Sequence, residues 1–288
     1  DGYDTSFTVT GLSPGSIHSF AVRAVDFLGQ QSADLSATGA TAAVTRAQVI
    51  DIVSVLPDGR PSSTSGVNPS VSANGRYVAF TGSSSCHANP SSDNAALLSQ
   101  ENLSCYQDNQ ALVRDRQSGT TTLLSHVVGE ANVPPAGPYD ATTDIAISAD
   151  GSEVAFVSEG DNLVAGDADQ TADLFVADRA TALVHAVTVP DLGVPITKVA
   201  EGKGISIDAD GTHVAFVGEE SDNTQHLVVE DWRAGTATLI PAPAGTYNIG
   251  EPELSSDGSR LAFVALLPDA ETQVVVIDVA EPSTPVLS

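Results

Sequence analysis

The sequence predicts an all-β fold built from one antiparallel unit repeated along the chain, on three observations. A twelve-residue phrase occurs four times, at 69–80, 145–156, 205–216 and 252–263, and each copy ends in Ala-Phe. Each copy carries Asn-Gly or Asp-Gly between two runs of strand-like alternation. An apolar run closing on Asp follows each copy, at 111–116, 173–179, 226–231 and 273–278. Repetition at this spacing means one supersecondary unit that needs its neighbours to bury its apolar faces.

The first phrase reads as a β-hairpin. Asn74, Asp150, Asp210 and Asp257 are expected as turn residues, with Asn/Asp-Gly supplying the positive φ of a tight turn. The returning strand carries Phe80, Phe156, Phe216 and Phe263, which should be equivalent and buried. The acidic phrase supplies a third strand. In three copies a fourth follows, at 120–125, 182–188 and 236–240. Four strands per unit is the content of a propeller blade. The four phenylalanines lie 76, 60 and 47 residues apart, so the longer intervals carry insertions.

These phrases resemble the TolB-like β-propeller repeat over about residues 66–288. The sialidase Asp-box is excluded, because it needs a residue between Asp and Gly and a terminal Trp, absent from all four copies. The expected propeller domain is 45–288, with four blades near 66–125, 143–189, 203–241 and 251–288. The run 49–55 takes the place of an outermost strand that completes a last blade. The resemblance implies six or more blades, so an open arc with further blades beyond residue 288 is expected.

Residues 1–44 differ. Ser6-Phe-Thr-Val-Thr-Gly-Leu-Ser-Pro-Gly15 followed by Phe20-Ala-Val-Arg-Ala-Val-Asp26 resembles the second half of a fibronectin type III domain. His18 stands where that family places the tyrosine of its corner, and reads as a structural replacement. The segment supplies about three strands against the seven of a complete sandwich, so its amino-terminal half is expected to be missing.

Composition bounds the function. Lys+Arg 11 against Asp+Glu 37 leaves a net charge of −26. Nucleic acid and anionic membrane surfaces need a basic footprint, so both are disfavoured as partners. The acidic surface serves solubility, or attracts divalent cations or basic proteins. Hydrophobic content of 41% suffices for packed sheets. Cys86 and Cys105 lie in a polar insertion of the first unit. A disulfide between them would close a loop of about 20 residues and stabilise by about 3 kcal/mol. With a fibronectin-like neighbour this points to an extracellular, periplasmic or cell-surface setting.

One acidic constellation stands out. Asp167, Asp169 and Asp173 form a D-x-D-x-x-x-D spacing ahead of an apolar strand, which suits Ca²⁺ through hard oxygen ligands. It lacks the glycine and distal glutamate of an EF-hand, so an ordinary polar turn is the competing reading. No Gly-x-Ser-x-Gly, His-Glu-x-x-His, Walker or Rossmann motif occurs. His185, His213 and His226 read as structural, and Trp232 stands where other units have Arg116 and Arg179. No catalytic or cofactor-binding residue is assigned. Two functions stay open: a non-enzymatic scaffold for protein–protein interaction in a secreted or cell-envelope protein, or the substrate-gating propeller of a larger, prolyl oligopeptidase-like hydrolase. A Gly-x-Ser-x-Gly downstream of residue 288 would favour the second.

Overall fold

A computed structural model describes residues 17–22, 35–40, 52–57, 59, 68–83, 109–130, 142–167, 171–187, 192–246, 248–267 and 271–282. The chain divides into two compact units, Asp1–Ile52 and Val53–Ser288. Among the described residues all regular structure is β, with no helix.

In the first unit, β1 (Ile17–Val22) pairs antiparallel with β2 (Leu35–Ala40), and His18 lies opposite Gly39. The rest of the fibronectin-like reading lies outside the described residues.

The described residues of the second unit form four antiparallel sheets, one per repeat. The first runs β3 (Ser70–Val71), β4 (Tyr77–Gly82), β5 (Gln110–Asp115), β6 (Thr120–Leu123). The second runs β7 (Thr142–Ile147), β8 (Glu153–Ser158), β9 (Asp173–Asp178), β10 (Leu183–Ala186). The third has β11 (Ile196–Val199) and β12 (Ser206–Ile207) both paired to β13 (His213–Glu220), then β14 (Gln225–Asp231) and β15 (Thr236–Ile240). The fourth runs β16 (Asn248–Leu254), β17 (Arg260–Leu266), β18 (Thr272–Asp278). Of 49–55, residues 49–51 lie outside the described set, and Val55 forms only an isolated bridge.

The repeated phenylalanines all occupy the fourth position of their strand and are 2%, 0%, 0% and 1% exposed in chain order. Strand alternation explains their direction. Phe156 packs back on Ala79 and Val113 of the first sheet, Phe216 on Val157 and Val176 of the second, Phe263 on Val217 and Val229 of the third. Ala79, Ala155 and Ala215, one place earlier, face forward. Each sheet is thus apolar on both faces, and every seam joins a phenylalanine face to an alanine and valine face. Phe80 has no sheet behind it among the described residues and packs with Leu56, Leu112 and Leu123.

The Asp-Gly turns differ from expectation in one respect. Only the glycines take positive φ, between 66° and 77° at Gly75, Gly151, Gly211 and Gly258. Asn74, Asp150, Asp210 and Asp257 act through their side chains instead: each Oδ1 accepts the backbone N–H two residues on, at 2.8–3.1 Å. A position repeated in the turns also links them. Ala73 N–H donates to Ala149 O at 2.8 Å, Ala149 N–H to Ala209 O at 3.1 Å, and Ala209 N–H to Ser256 O at 3.0 Å. Arg116, Arg179 and Trp232, whose equivalence the sequence suggested, share one task. Each side-chain N–H donates to the turn glycine carbonyl of its own sheet, Gly75, Gly151 or Gly211, at 2.9, 2.6 and 2.7 Å.

Strand direction gives the unit two edges. One carries the Asp-Gly turns and the turns that follow each Asp-ending strand. The other carries the β4–β5, β8–β9, β13–β14 and β17–β18 connections and every link between sheets.

Candidate functional site

The site forms where the innermost strands begin, on the connection edge. Asn68, Asp144, Gly204 and Glu251 are equivalent repeat positions there, and all four border one cavity of 590 Å³. Val71, Ala146, Ile147, Ile205 and Ile207 contribute apolar patches to a lining that is mostly polar. Its rim carries Glu251 and Glu253, both exposed.

Irregular backbone shapes this rim. β7 shifts register between Thr142 and Ile145, and β16 between Gly250 and Glu253. In the third sheet the inner strand is divided outright, into β11 and β12, at 200–205. Bulges re-aim side chains, and two of the inner strands carry one where they begin beside the cavity. Asn68 and Glu251 take left-handed backbone, φ 57° and 51°, although each precedes a proline, a place that favours extended conformations.

Hydrogen bonds between successive sheets hold these strands. Asn68 Nδ2 donates to Thr143 O at 2.8 Å. The Asp144 carboxylate, 4% exposed, accepts Gly202 N–H at 2.8 Å and Gly204 N–H at 3.2 Å. Glu251 N–H donates to Lys203 O. Ser70 and Ser206 hydroxyls accept Ile147 N–H and Leu254 N–H, at 3.1 and 2.9 Å. Asp144 is therefore spent on structure, while Glu251 and Glu253 keep their carboxylates at the rim.

The field there is negative. Packing around Glu201 raises its carboxyl above the ordinary value, and the charges of Glu159 and Asp144 add to this, although the residue still reaches solvent. Lys203 Nζ donates to Asn248 Oδ1 at 2.7 Å beside a smaller cavity of 230 Å³. Lys198 is paired with Glu219 at 3.0 Å.

Of the residues singled out in the sequence, Asp173 opens β9, and Asp167 lies half-buried in the β8–β9 connection. Asp169, Cys86 and Cys105 lie outside the described residues. Among the described residues no group of three His, Cys, Asp or Glu side chains is placed to hold a metal. These histidines have partners: His213 Nδ1 lies 2.6 Å from Asp208, His226 Nε2 lies 2.6 Å from Glu220, and the His185 ring lies tilted against Trp232 with centroids 5.4 Å apart. Sequence reasoning missed the cavity positions. The signal was Asn68, Asp144 and Glu251 at one place in the repeat, two of them before proline.

The family model for the lipoprotein LpqB β-propeller domain matches residues 111–284, more than half of the chain. The chain belongs to the LpqB β-propeller family. The sheets of the second unit are therefore propeller sheets, and the cavity borders the innermost strands of a propeller. No curated protein matches the chain. Among solved structures, TolB from Acinetobacter baumannii aligns at 11% identity and TM-score 0.48, over 91% of this chain and 47% of that one. A Mycobacterium tuberculosis puromycin-hydrolyzing peptidase aligns at 11% and 0.49, over 93% and 35%. An oligogalacturonate lyase from Vibrio parahaemolyticus aligns at 11% and 0.44, over 92% and 58%. The chain spans less than two thirds of each of these proteins. No described helix is long and apolar enough to cross a membrane.

Proposed function

We propose that this chain is a non-enzymatic propeller scaffold of a secreted or cell-envelope protein, which receives a partner polypeptide at the inner-strand cavity. The observation that carries the reading is the cavity itself: a mostly polar lining with small apolar patches and two uncommitted carboxylates on a rim held by hydrogen bonds between sheets. Membership in a lipoprotein propeller family supports the envelope setting. The four sheets are four blades in this reading, and residues 1–44 belong to a fibronectin type III domain.

The test places a photo-crosslinking residue at Val71, 60% exposed beside the cavity, in the full-length protein in its host. A single protein adduct, lost when Glu251 and Glu253 become Lys, is expected. Adducts that survive those changes would overturn the site. Cleavage of peptide substrates by the full-length protein would replace the scaffold reading with the hydrolase one.

Two covalent or ionic supports belong to the same proposal. Cys86 and Cys105 form a disulfide, and intact protein that titrates two thiols without reduction would exclude it. Asp167, Asp169 and Asp173 bind Ca²⁺, so millimolar calcium should raise the melting temperature and Asp169→Asn should blunt the rise. Equal midpoints in calcium and EDTA would remove the ion.

A further inference from the structure

Besides Asp144, which bonds to Gly202 and Gly204 across it, the seam between the second and third sheets holds two buried carboxylic acids, more than either other described seam. Alternation along β8 puts Glu153 on the face of Ala155 and Val157, toward the third sheet. Alternation along β14 puts Glu230 on the face of Val228, toward the second. Glu153 is 4% exposed and Glu230 is 1% exposed. Repetition shows how unusual this is. Tyr77 and His213 hold the place of Glu153 in the other two seams, and Ala177 and Ile277 hold the place of Glu230.

Only one of the two acids has a cation. Arg233 Nη2 lies 2.5 Å from Glu153 Oε1, and the same guanidinium donates to Thr212 Oγ1 at 3.2 Å. Glu153 Oε2 and Glu230 Oε2 are both buried without a hydrogen-bond partner. Within β14's sheet, Glu230 lies opposite Val214 and Ala237. The charged and titratable groups at this end of the seam are Asp150, Asp178, Arg179 and His185 from the second sheet. From the third they are Asp208, Asp210, His213, Asp231 and Arg233. His213 is paired with Asp208, and Arg179 is turned onto Gly151 O and the Tyr77 ring. Nothing described offers Glu230 a positive charge, and its chain neighbour Asp231 is negative.

We propose that Glu230 makes this seam a pH-responsive joint, closed while the carboxyl keeps its proton and loosened once it ionises. A buried carboxylate without a partner must gain water or a cation, and opening the seam supplies the water. Burial first, then the charge of Asp231, pushes the Glu230 carboxyl up to about 7 from an ordinary 4.5. Glu153 is also raised, by burial, with Arg233 opposing. For an acid raised in the folded state, the stabilisation is complete below 4.5 and disappears as pH rises through about 7. That gap corresponds to roughly 300-fold in the equilibrium between closed and open seam.

Amide hydrogen exchange at pH 5.5 and 8.5, corrected for intrinsic chemistry, tests the joint in the whole chain. Opening at β13 and β14 should increase by roughly 30-fold toward pH 8.5, while that of β4 and β5 stays constant. Glu230→Gln should abolish the increase. An equal response in both seams, or one that survives Glu230→Gln, would overturn the proposal. If that variant does not fold, a carboxyl ¹³C titration of the wild-type chain decides. A Glu230 midpoint near 7 supports the joint, and one near 4.5 overturns it.

Discussion

Gly151 shows how much one hydrogen atom matters in this unit. A Cβ built there would lie 2.3 Å from Tyr77 Cδ2, and the residue sits at φ 77°. The Tyr77 ring has little freedom, because Arg179 lies 3.9 Å above it and Arg76 4.8 Å away. At Gly75 the nearest atom is 3.9 Å away, so only backbone strain opposes a side chain. Gly75→Ala should cost about 1 kcal/mol, the usual left-handed penalty. Gly151→Ala should cost more than twice that, and equilibrium denaturation of both variants checks the ranking. The acidic turn residues predict a response to acid. Hydrogen bonds from Ser255, Ser259 and the Ser259 backbone lower Asp257 to about 2 from 3.8. Its contribution is therefore present above 3.8 and lost as pH falls through about 2. Asp257→Asn should flatten the stability profile in that acid range and lower it by a constant amount above pH 5.

At the scale of elements, Gly218 explains a strand that sequence patterns did not announce. The hairpins, the acidic strands and three outer strands were legible, because alternation and Asp-Gly turns are local signals. β11 was not, although Ile196-Thr-Lys-Val199 alternates, since no other repeat has a separate strand there. It pairs with the end of β13, which has eight residues where β4 and β8 have six. Space for it exists because a Cβ at Gly218 would meet Ile196 Cγ2 at 2.8 Å. Gly218→Ala should destabilise by about 1–3 kcal/mol through overpacking. Ile196→Val in the same chain should recover part of that, and a double-mutant cycle measures the coupling. The cavity was illegible for the same reason as β11. Asn68, Asp144 and Glu251 gain meaning only when bulges bring separate repeats to one rim, a long-range effect with no local pattern.

At the scale of the whole molecule, the fourth sheet breaks the rule set by the other three. Ala215 and Val217 of the third sheet are buried by the fourth, but Val274 and Val276 of the fourth are 72% and 63% exposed. Among the described residues β18 has no fourth strand beside it, and its register with β17 is free of bulges. A flat apolar edge of this kind invites pairing. The chain should therefore associate as concentration rises, more at high salt, which screens the repulsion of a net charge of −26. Val276→Lys should shift association to higher concentration, and sedimentation velocity reads the difference. The equivalent change at Val128, an exposed valine away from that sheet, should not.

The two edges of the propeller unit have different freedom to change during evolution. Every Asp-Gly turn is bound to its neighbour through Ala73, Ala149 and Ala209, so one added residue there would break bonds in two sheets. The opposite edge carries all connections of unequal length, including the 27 positions from 83 to 109 between β4 and β5. Insertions on that side leave the seams intact. The intervals of 76, 60 and 47 residues between phenylalanines are thus a record of growth permitted on one side only. Length can change around the cavity rim without renegotiating the packing beneath it.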